Sequence, residues 1–327
     1  MEVDAEDVAG LYRRFAAIEA RGSSPTYERL CLAVAEHPGV LALLAGLPRG
    51  KRQPNLLLGA LRLLDADVSD PDAALRLATD RAEDVRAIVL SHATQTNEPA
   101  RCAVLLPALA TLPEPLALLE VGASAGLCLR YDAYRYRYRA DTGAAEVTVG
   151  AGDVVLDCAV TDVPLPDRVP VLAARLGLDA HPLDPTDAGT AQWLRCLVWP
   201  EHTDRAGRLD AALRAAAADP PTVLTGLAPD DVAGAVARLR EAAPDATPVV
   251  VHSATAAYLS PEQRATFAVL CRDLGVHRVG LEGSQVSADL GVPAPPDLPG
   301  RFLLTLDDAV LGDAHPHGRD LVWHRPV

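Results

Sequence analysis

The densest chemistry in this chain lies between Leu116 and Leu129, LALLEVGASAGLCL, where an apolar run ends in Glu120 and passes through Gly122, Ala123, Ser124 and Gly126. A strand that turns abruptly needs small residues at the bend, because they let backbone approach a ligand closely. The helical pattern that follows predicts a helix N-terminus, with its N–H groups and positive dipole end aimed at the same place. Together these features describe a nucleotide-type cofactor site. Glu120 adds a carboxylate that is costly to bury without a charge partner, so the ligand it suits is cationic. The same stretch also satisfies G-x-S-x-G, the nucleophile elbow of α/β-hydrolases. Ser124 would then attack a carbonyl, with a later aspartate and one of His252, His315 or His317 completing a triad. Glu120 has no task in that mechanism. A tight turn without any ligand is the third reading.

Other groups gather at predicted strand ends. In a doubly wound sheet the second strand should end in an acid that binds ribose hydroxyls. GLD, Gly177 to Asp179, ends an apolar run in that way, although it follows the loop by about fifty residues where about twenty is usual. Asp157 is the fallback; Asp141 has better spacing but precedes its strand. VVVHSATAAYLSPEQ reads as a buried strand, a polar loop and a helix start at Ser260-Pro261-Glu262. His252, Ser253 and Tyr258 then fall at the carboxyl edge of the sheet, where an imidazole with a pKa near neutrality can act as a base. HATQTNE, His92 to Glu98, packs amide, hydroxyl and acid groups into one loop, as ligand-facing loops often do. RYDAYRYRYR interleaves arginine and tyrosine, a pattern that can stack on nucleic acid. Packed tyrosines with arginines paired to surface acids are the plainer expectation.

These groups must be carried by elements, and the chain divides in two. Residues 1–112 read as helical throughout, with apolar residues at helical spacing and a start at Ser24-Pro25. From residue 113 to 327 short apolar runs alternate with helices: LALLEVG, VPVLAARLGLD, TVLTGL, PVVVHSA, VHRVGLEG, RFLLTLDD and DLVWHRPV. Such alternation implies a mostly parallel sheet covered on both faces. The expected fold is therefore α/β, a doubly wound, seven-stranded Rossmann-like sheet with an all-helical N-terminal domain. The last two runs should form an antiparallel hairpin. Residues 130–168 read as an insertion whose segment EVTVGAGDVVLDCAV forms a β-hairpin around Gly150 to Gly152.

Composition narrows the function. A formal charge of −14 over 327 residues disfavours nucleic acid as a partner, since phosphate binding needs clustered Lys and Arg. No apolar run reaches the eighteen or so residues of a membrane span. The acidic start, MEVDAEDVAG, is unlike a secretory signal, which predicts a cytoplasmic protein. The six cysteines are scattered without zinc spacing, so neither a metal site nor a disulfide is expected.

LLEVGASAGL is also similar to the S-adenosylmethionine loop of class I methyltransferases: a strand, an acid two residues before the first glycine, then small residues ending in glycine. Ser124 stands where that loop has a middle glycine. With QTNEPARCAVLLPALA, RLGLDAHPLDPTD, WLRCLVWPEHTDRAGRL and VVVHSATAAYL, the chain from about Gln53 to its end resembles an uncharacterised bacterial family. That family is common in actinobacteria, is known as a domain of unknown function, and looks distantly like class I methyltransferases. The resemblance implies a class I methyltransferase-like sheet with S-adenosylmethionine held over Glu120, Gly122, Ala123, Ser124, Gly126, Asp179 and Gly226. Where the family usually has Gly-Asp after the third strand, this chain has Gly226-Leu227; Asp230 or Asp231 could take that acid's place near the adenine.

Transfer from a sulfonium is an in-line displacement that needs positioning and the removal of one proton. His252, Tyr258 and Glu98 are the candidate catalytic groups. Gln95, Asn97 and Ser253 are the candidate contacts to the acceptor, for which a small molecule is expected. A serine hydrolase using Ser124 and a non-catalytic metabolite-binding protein are the competing expectations.

Overall fold

Proline placement sets the helices. Ser24, His37, Asp70 and Ser260 each precede a proline, and each side chain accepts the backbone N–H three residues on. Proline at the first helical position gives up an N–H that had no partner there, and the preceding side chain caps another. The computed structural model describes residues 2–95, 97–140, 146–293 and 296–324, with side chains from residue 7 onward; Asp141 lies outside the described residues.

The chain forms two compact units. One comprises Met1–Thr96 with Asp187–Gly207, the other Asn97–Thr186 with Arg208–Val327. The helical unit carries α1 (Glu2–Phe15), α2 (Pro25–Val34), α3 (Pro38–Ala45), α4 (Pro54–Leu63), α5 (Pro71–Asp80) and α6 (Ala82–Ser91). Its core gathers Val8, Tyr12, Phe15, Tyr27, Leu30 and Leu57. The helical reading extended to residue 112; the compact units divide after residue 96, and a distant segment joins this one. The reason is tryptophan. Trp193 is buried, and its indole N–H, which needs an acceptor when buried, reaches Ala93 O at 3.0 Å; Trp199 donates to Asn55 Oδ1 at 3.1 Å.

The α/β unit begins with α7 (Arg101–Leu109), every residue of which is buried. Its strands are β1 (Leu116–Val121), β2 (Tyr134–Ala140), β3 (Val147–Val149), β4 (Val154–Thr161), β5 (Leu172–Asp179), β6 (Val223–Thr225), β7 (Thr247–Ser253), β8 (His277–Glu282), β9 (Phe302–Leu306), β10 (Ala309–Ala314) and β11 (Asp320–Trp323). The later helices of the chain are α8 (Ala188–Cys196), α9 (Thr203–Ala218), α10 (Val232–Ala242), α11 (Pro261–Asp273) and α12 (Ser284–Asp289).

All strands join one sheet in the order β3-β2-β4-β11-β10-β9-β8-β7-β1-β5-β6. Among the described residues it is a mixed sheet of eleven strands, which corrects the expected seven. Five of them, β6-β5-β1-β7-β8, run parallel. From β1 the chain fills this half first in one direction and then in the other. The order therefore reverses between β1 and β7, and the crevice outside their carboxyl ends is where such sheets receive ligands.

The remaining differences are local. Residues 130–168 do not form the expected hairpin: β3 and β4 do not pair with each other but lie on either side of β2, β3 antiparallel and β4 parallel to it, and β4 joins β11. Tyr134, Tyr136 and Tyr138 are buried along β2, while Arg137 and Arg139 pair with Asp157 and Glu146. The final two apolar runs are separated by β10, which pairs antiparallel with both. Nor does a full helix follow the β1 turn. The chain makes two short 3-10 turns, Leu127–Leu129 and Tyr131–Ala133, before the alternating YRYRYRA takes it into β2. Among the described residues no helix is long and apolar enough to cross a membrane.

Candidate functional site

The β1 turn is a left-handed bend, with φ of +79° at Gly122, +52° at Ser124 and +69° at Gly126. A side chain in that region costs about 1–2 kcal/mol, so Ser124 must be held there by its neighbours. Asp179, at the end of β5, does this. Its Oδ2 accepts Ser124 N and its Oδ1 accepts His181 N, both at 2.8 Å. Asn97 fastens the bend from the other direction, donating to Ser124 Oγ and accepting Ala125 N at 3.1 Å. Gly226 N donates to the Asp179 carbonyl at 2.9 Å, which ties the β6 end to the same residue.

The glycines permit close approaches that the chain itself makes. A Cβ at Gly122 would lie 2.1 Å from Thr255 Oγ1, and one at Gly126 2.4 Å from Pro221 Cγ. Ala123 is buried against Gly177, where a Cβ would fall 2.7 Å from that of Ala123. Asp179→Ala strands the part-buried Ser124 N at this bend, the exposed His181 N–H turning to water, and is expected to cost about 1 kcal/mol or somewhat more. Urea unfolding checks it, and Asp179→Asn, which keeps one acceptor oxygen, should recover part of the loss.

Successive residues of a strand face opposite sides of its sheet. Ala117, Leu119 and Val121 enter the apolar cluster formed with α10 and α11, so Glu120 faces the other way, near Arg101 and Cys128. It is 6% exposed, and its Oε2 is buried without a hydrogen-bond partner. Arg101 acts on it through space, its own hydrogen bonds going to Pro316 O at 2.9 Å and Ser253 O at 3.1 Å. Burial pushes the Glu120 carboxyl well above the usual carboxylate range; Cys128 and Asp179 add to the rise and Arg101 opposes it. The Tyr131 hydroxyl, also buried without a partner, has Glu120, Cys102 and Cys128 among its neighbours.

His252 sits on the opposite face. Its register partner on β1 is Val121, and its ring meets Phe267 of α11 edge-on at 5.5 Å. It is fully buried. Nδ1 faces Glu282 Oε1 at 3.0 Å and Nε2 faces an Arg278 N–H at 3.4 Å. Those contacts fix a neutral tautomer that donates through Nδ1 and presents its Nε2 lone pair to Arg278. Burial lowers the His252 pKa below 6.5, the Glu282 contact working against the change. The unfolded chain therefore takes up this proton first. The contribution to stability is whole above 6.5 and is lost as pH falls from there toward the lowered folded value. Urea titrations between about pH 7.5 and 5 should show this slope, reduced in His252→Gln.

The other candidates are dispersed. Glu98 is buried and takes Arg208 Nε at 3.1 Å and Ala100 N at 3.2 Å on one oxygen. Ser253 is bound by Arg101, through its carbonyl and at 3.5 Å through its hydroxyl. Tyr258 is 73% exposed. Gln95 belongs to the helical unit, whereas Asn97 and Glu98 belong to the α/β unit. Asp157 pairs with Arg137 and Arg139 far along the sheet from the β1 turn. Asp231 caps its own turn, Oδ2 accepting Leu227 N at 2.8 Å. The structure thus brings together Glu120, Gly122, Ser124, Asn97, Asp179 and Ser253, and separates His252 and Tyr258 from Glu120.

Three residues of this rim went unnoticed in the sequence: Arg101, Thr255 and Glu282. Glu282 carried a signal, since GLEG repeats the strand-end acid of LLEVG. A cavity of about 450 Å³ opens at the other end of β8, where Arg272 and Arg278 pair with Asp308 and His277 pairs with Asp307.

An α/β protein with a buried acid beside a left-handed bend at the reversal of its strand order is the class that this geometry defines. The chain belongs to a family described as an uncharacterized protein conserved in bacteria, DUF2332, which it matches over residues 9–323. No curated protein and no solved structure matches it.

Proposed function

We propose that the α/β unit binds S-adenosylmethionine at the β1–β7 crevice and acts as a methyltransferase-like enzyme on a small-molecule acceptor. The observation that carries this reading is Glu120 Oε2, a buried carboxylate oxygen with no partner, on the strand where the order reverses. An uncompensated buried acid is expensive unless a cation meets it, and an ammonium-bearing ligand supplies one. Doubly wound strand order and an acid at the end of β5 support the same choice.

Under this reading Glu120 holds the ligand's ammonium, while Asp179 and Asn97 keep the bend in its left-handed form. Arg101 fixes Ser253 at the end of β7. S-adenosylmethionine, once bound, supplies an electrophilic methyl group. The residues around it contribute positioning and exclusion of water, which are the larger part of catalysis for an in-line displacement. His252 turns away from this face, so it is not assigned the proton.

A serine hydrolase is the second reading, favoured by the left-handed φ of Ser124 within G-x-S-x-G. The Ser124 hydroxyl accepts from Asn97, and His252 has both nitrogens engaged on the other face. Native mass spectrometry of the folded protein with S-adenosylmethionine decides between them. The proposal predicts a one-to-one adduct and no label on Ser124 from a fluorophosphonate probe. A labelled Ser124 without an adduct reverses the choice.

A further inference from the structure

The segment that leaves β7, Ser253–Tyr258, lies across the β1 turn and is tied from below. After Ser253 the chain turns through Ala254, at φ +52°. Thr255 then sets its side chain where a Cβ of Gly122 would be, its hydroxyl 2.1 Å from that point. Arg101 holds Ser253 O, Leu281 O accepts Ala254 N, and Arg264 donates to Ala256 O and Ala257 O; at the centre of the segment one oxygen gathers the free amides. Glu282 Oε1 accepts Thr255 N, Ala256 N and His252 Nδ1, each at 3.0 Å. Glu282 is 2% exposed, and its second oxygen is buried without a partner. His252 is in turn backed by Arg278, which is anchored to Leu290 O, Asp307 O and Asp308. A charged acceptor shared by two successive backbone donors is a strong fastening, stronger than neutral bonds of the same geometry.

We infer that the Glu282 carboxylate is a latch that keeps a strap, Ser253–Tyr258, seated on the β1 turn, and that a ligand can touch the Gly122 backbone only when this strap lifts. The first half stands on the contacts above; the second rests on the proposed function. Glu282 is thus a positioning residue, acting on the crevice through Thr255. His252, whose sequence position suggested a base, serves to orient the latch. The two strand-end acids divide the work: Glu120 faces the α7 side of the sheet and Glu282 the α11 side.

Hydrogen exchange read by mass spectrometry over residues 253–258 tests the latch. In Glu282→Ala the Thr255 and Ala256 amides are expected to exchange at least roughly tenfold faster than in the native chain. Amides within β8 should keep their native rates. Glu282→Gln retains an acceptor oxygen and should stay near the native rate, a rescue that loss of packing alone would not give. Unchanged exchange in the alanine variant, or equal acceleration throughout β7 and β8, overturns the latch. Should that variant fail to fold, the glutamine variant decides: native-like protection supports the latch, and exchange as fast as an open loop overturns it. Thr255→Gly leaves the latch intact but clears Gly122. It should bind S-adenosylmethionine severalfold faster in stopped flow, and an unchanged rate overturns the lifting step. If S-adenosylmethionine binds neither the native chain nor Thr255→Gly, the proposed function and the lifting step fall together, while the exchange rates still decide the latch.

Discussion

Gly122→Ala is expected to destabilise the α/β unit by on the order of 2–4 kcal/mol, read from urea unfolding. Two costs combine. The backbone at Gly122 holds φ +79°, a region that costs an alanine about 1–2 kcal/mol. The added methyl would also lie 2.1 Å from Thr255 Oγ1, far inside contact distance, so the strap must shift. Overpacking of that kind costs about 1–3 kcal/mol where the neighbours are fixed, and Glu282 fixes this one. The double variant Gly122→Ala with Thr255→Gly separates the terms. Removing the threonine side chain should return the steric share and leave the backbone share. A double variant no more stable than Gly122→Ala would show that Thr255 does not rest on the turn.

Glu120→Gln is expected to gain stability at alkaline pH while losing affinity for the proposed ligand. The sign follows from the direction of the pKa. Glu120 titrates well above 4.5 in the folded chain because burial disfavours its charged form. A raised folded value makes its contribution whole below 4.5 and erodes it as pH rises through the folded value. Glutamine has no such proton to lose. The two proteins should be similar in stability near pH 4.5 and diverge above it, the variant being ahead by about 1–3 kcal/mol at pH 8. Denaturant titrations at the two pH values measure the difference. A site that is costly when empty is the usual trade of stability against binding. A variant less stable than the native chain at both pH values would mean that Glu120 is satisfied as it stands.

The parallel half of the sheet was legible because strands buried on both faces read as apolar runs, as β1 and most of β7 do; β5 and β8 were legible from shorter apolar runs that Arg175 and Arg278 interrupt. Strand identity was also legible in β3 and β4, whose alternation is clear, but alternation names no partner. The two therefore looked like a local hairpin around Gly150 to Gly152, whereas each pairs with β2, whose alternating tyrosines and arginines had not been read as a strand. β10 was hidden by the polar letters of AVLGDA. Its Asp313 is satisfied inward by Arg301 and His324, a solution that only the folded chain displays.

The candidate site divides along the same line. Glu120, the small residues of the bend and Asp179 stood out as candidates because strand ends and turns leave local signatures. His252 was expected at the carboxyl edge beside the crevice, with no face assigned; in the fold it turns to the face opposite Glu120. Which face a residue takes depends on register with the neighbouring strand, and here Val121 stands opposite His252. The segment Asp187–Gly207 was assigned by its place in the chain, whereas its membership of the helical unit follows from two tryptophans seeking acceptors.

The central claim is that Glu120 waits for a cation. Isothermal titration of S-adenosylmethionine into the native chain and into Glu120→Gln, at the same pH and with both shown to be folded, tests it most directly. The account predicts saturable heat with the native chain and its loss in the variant. Silence from the native chain at millimolar ligand, or equal binding by the two proteins, would contradict it.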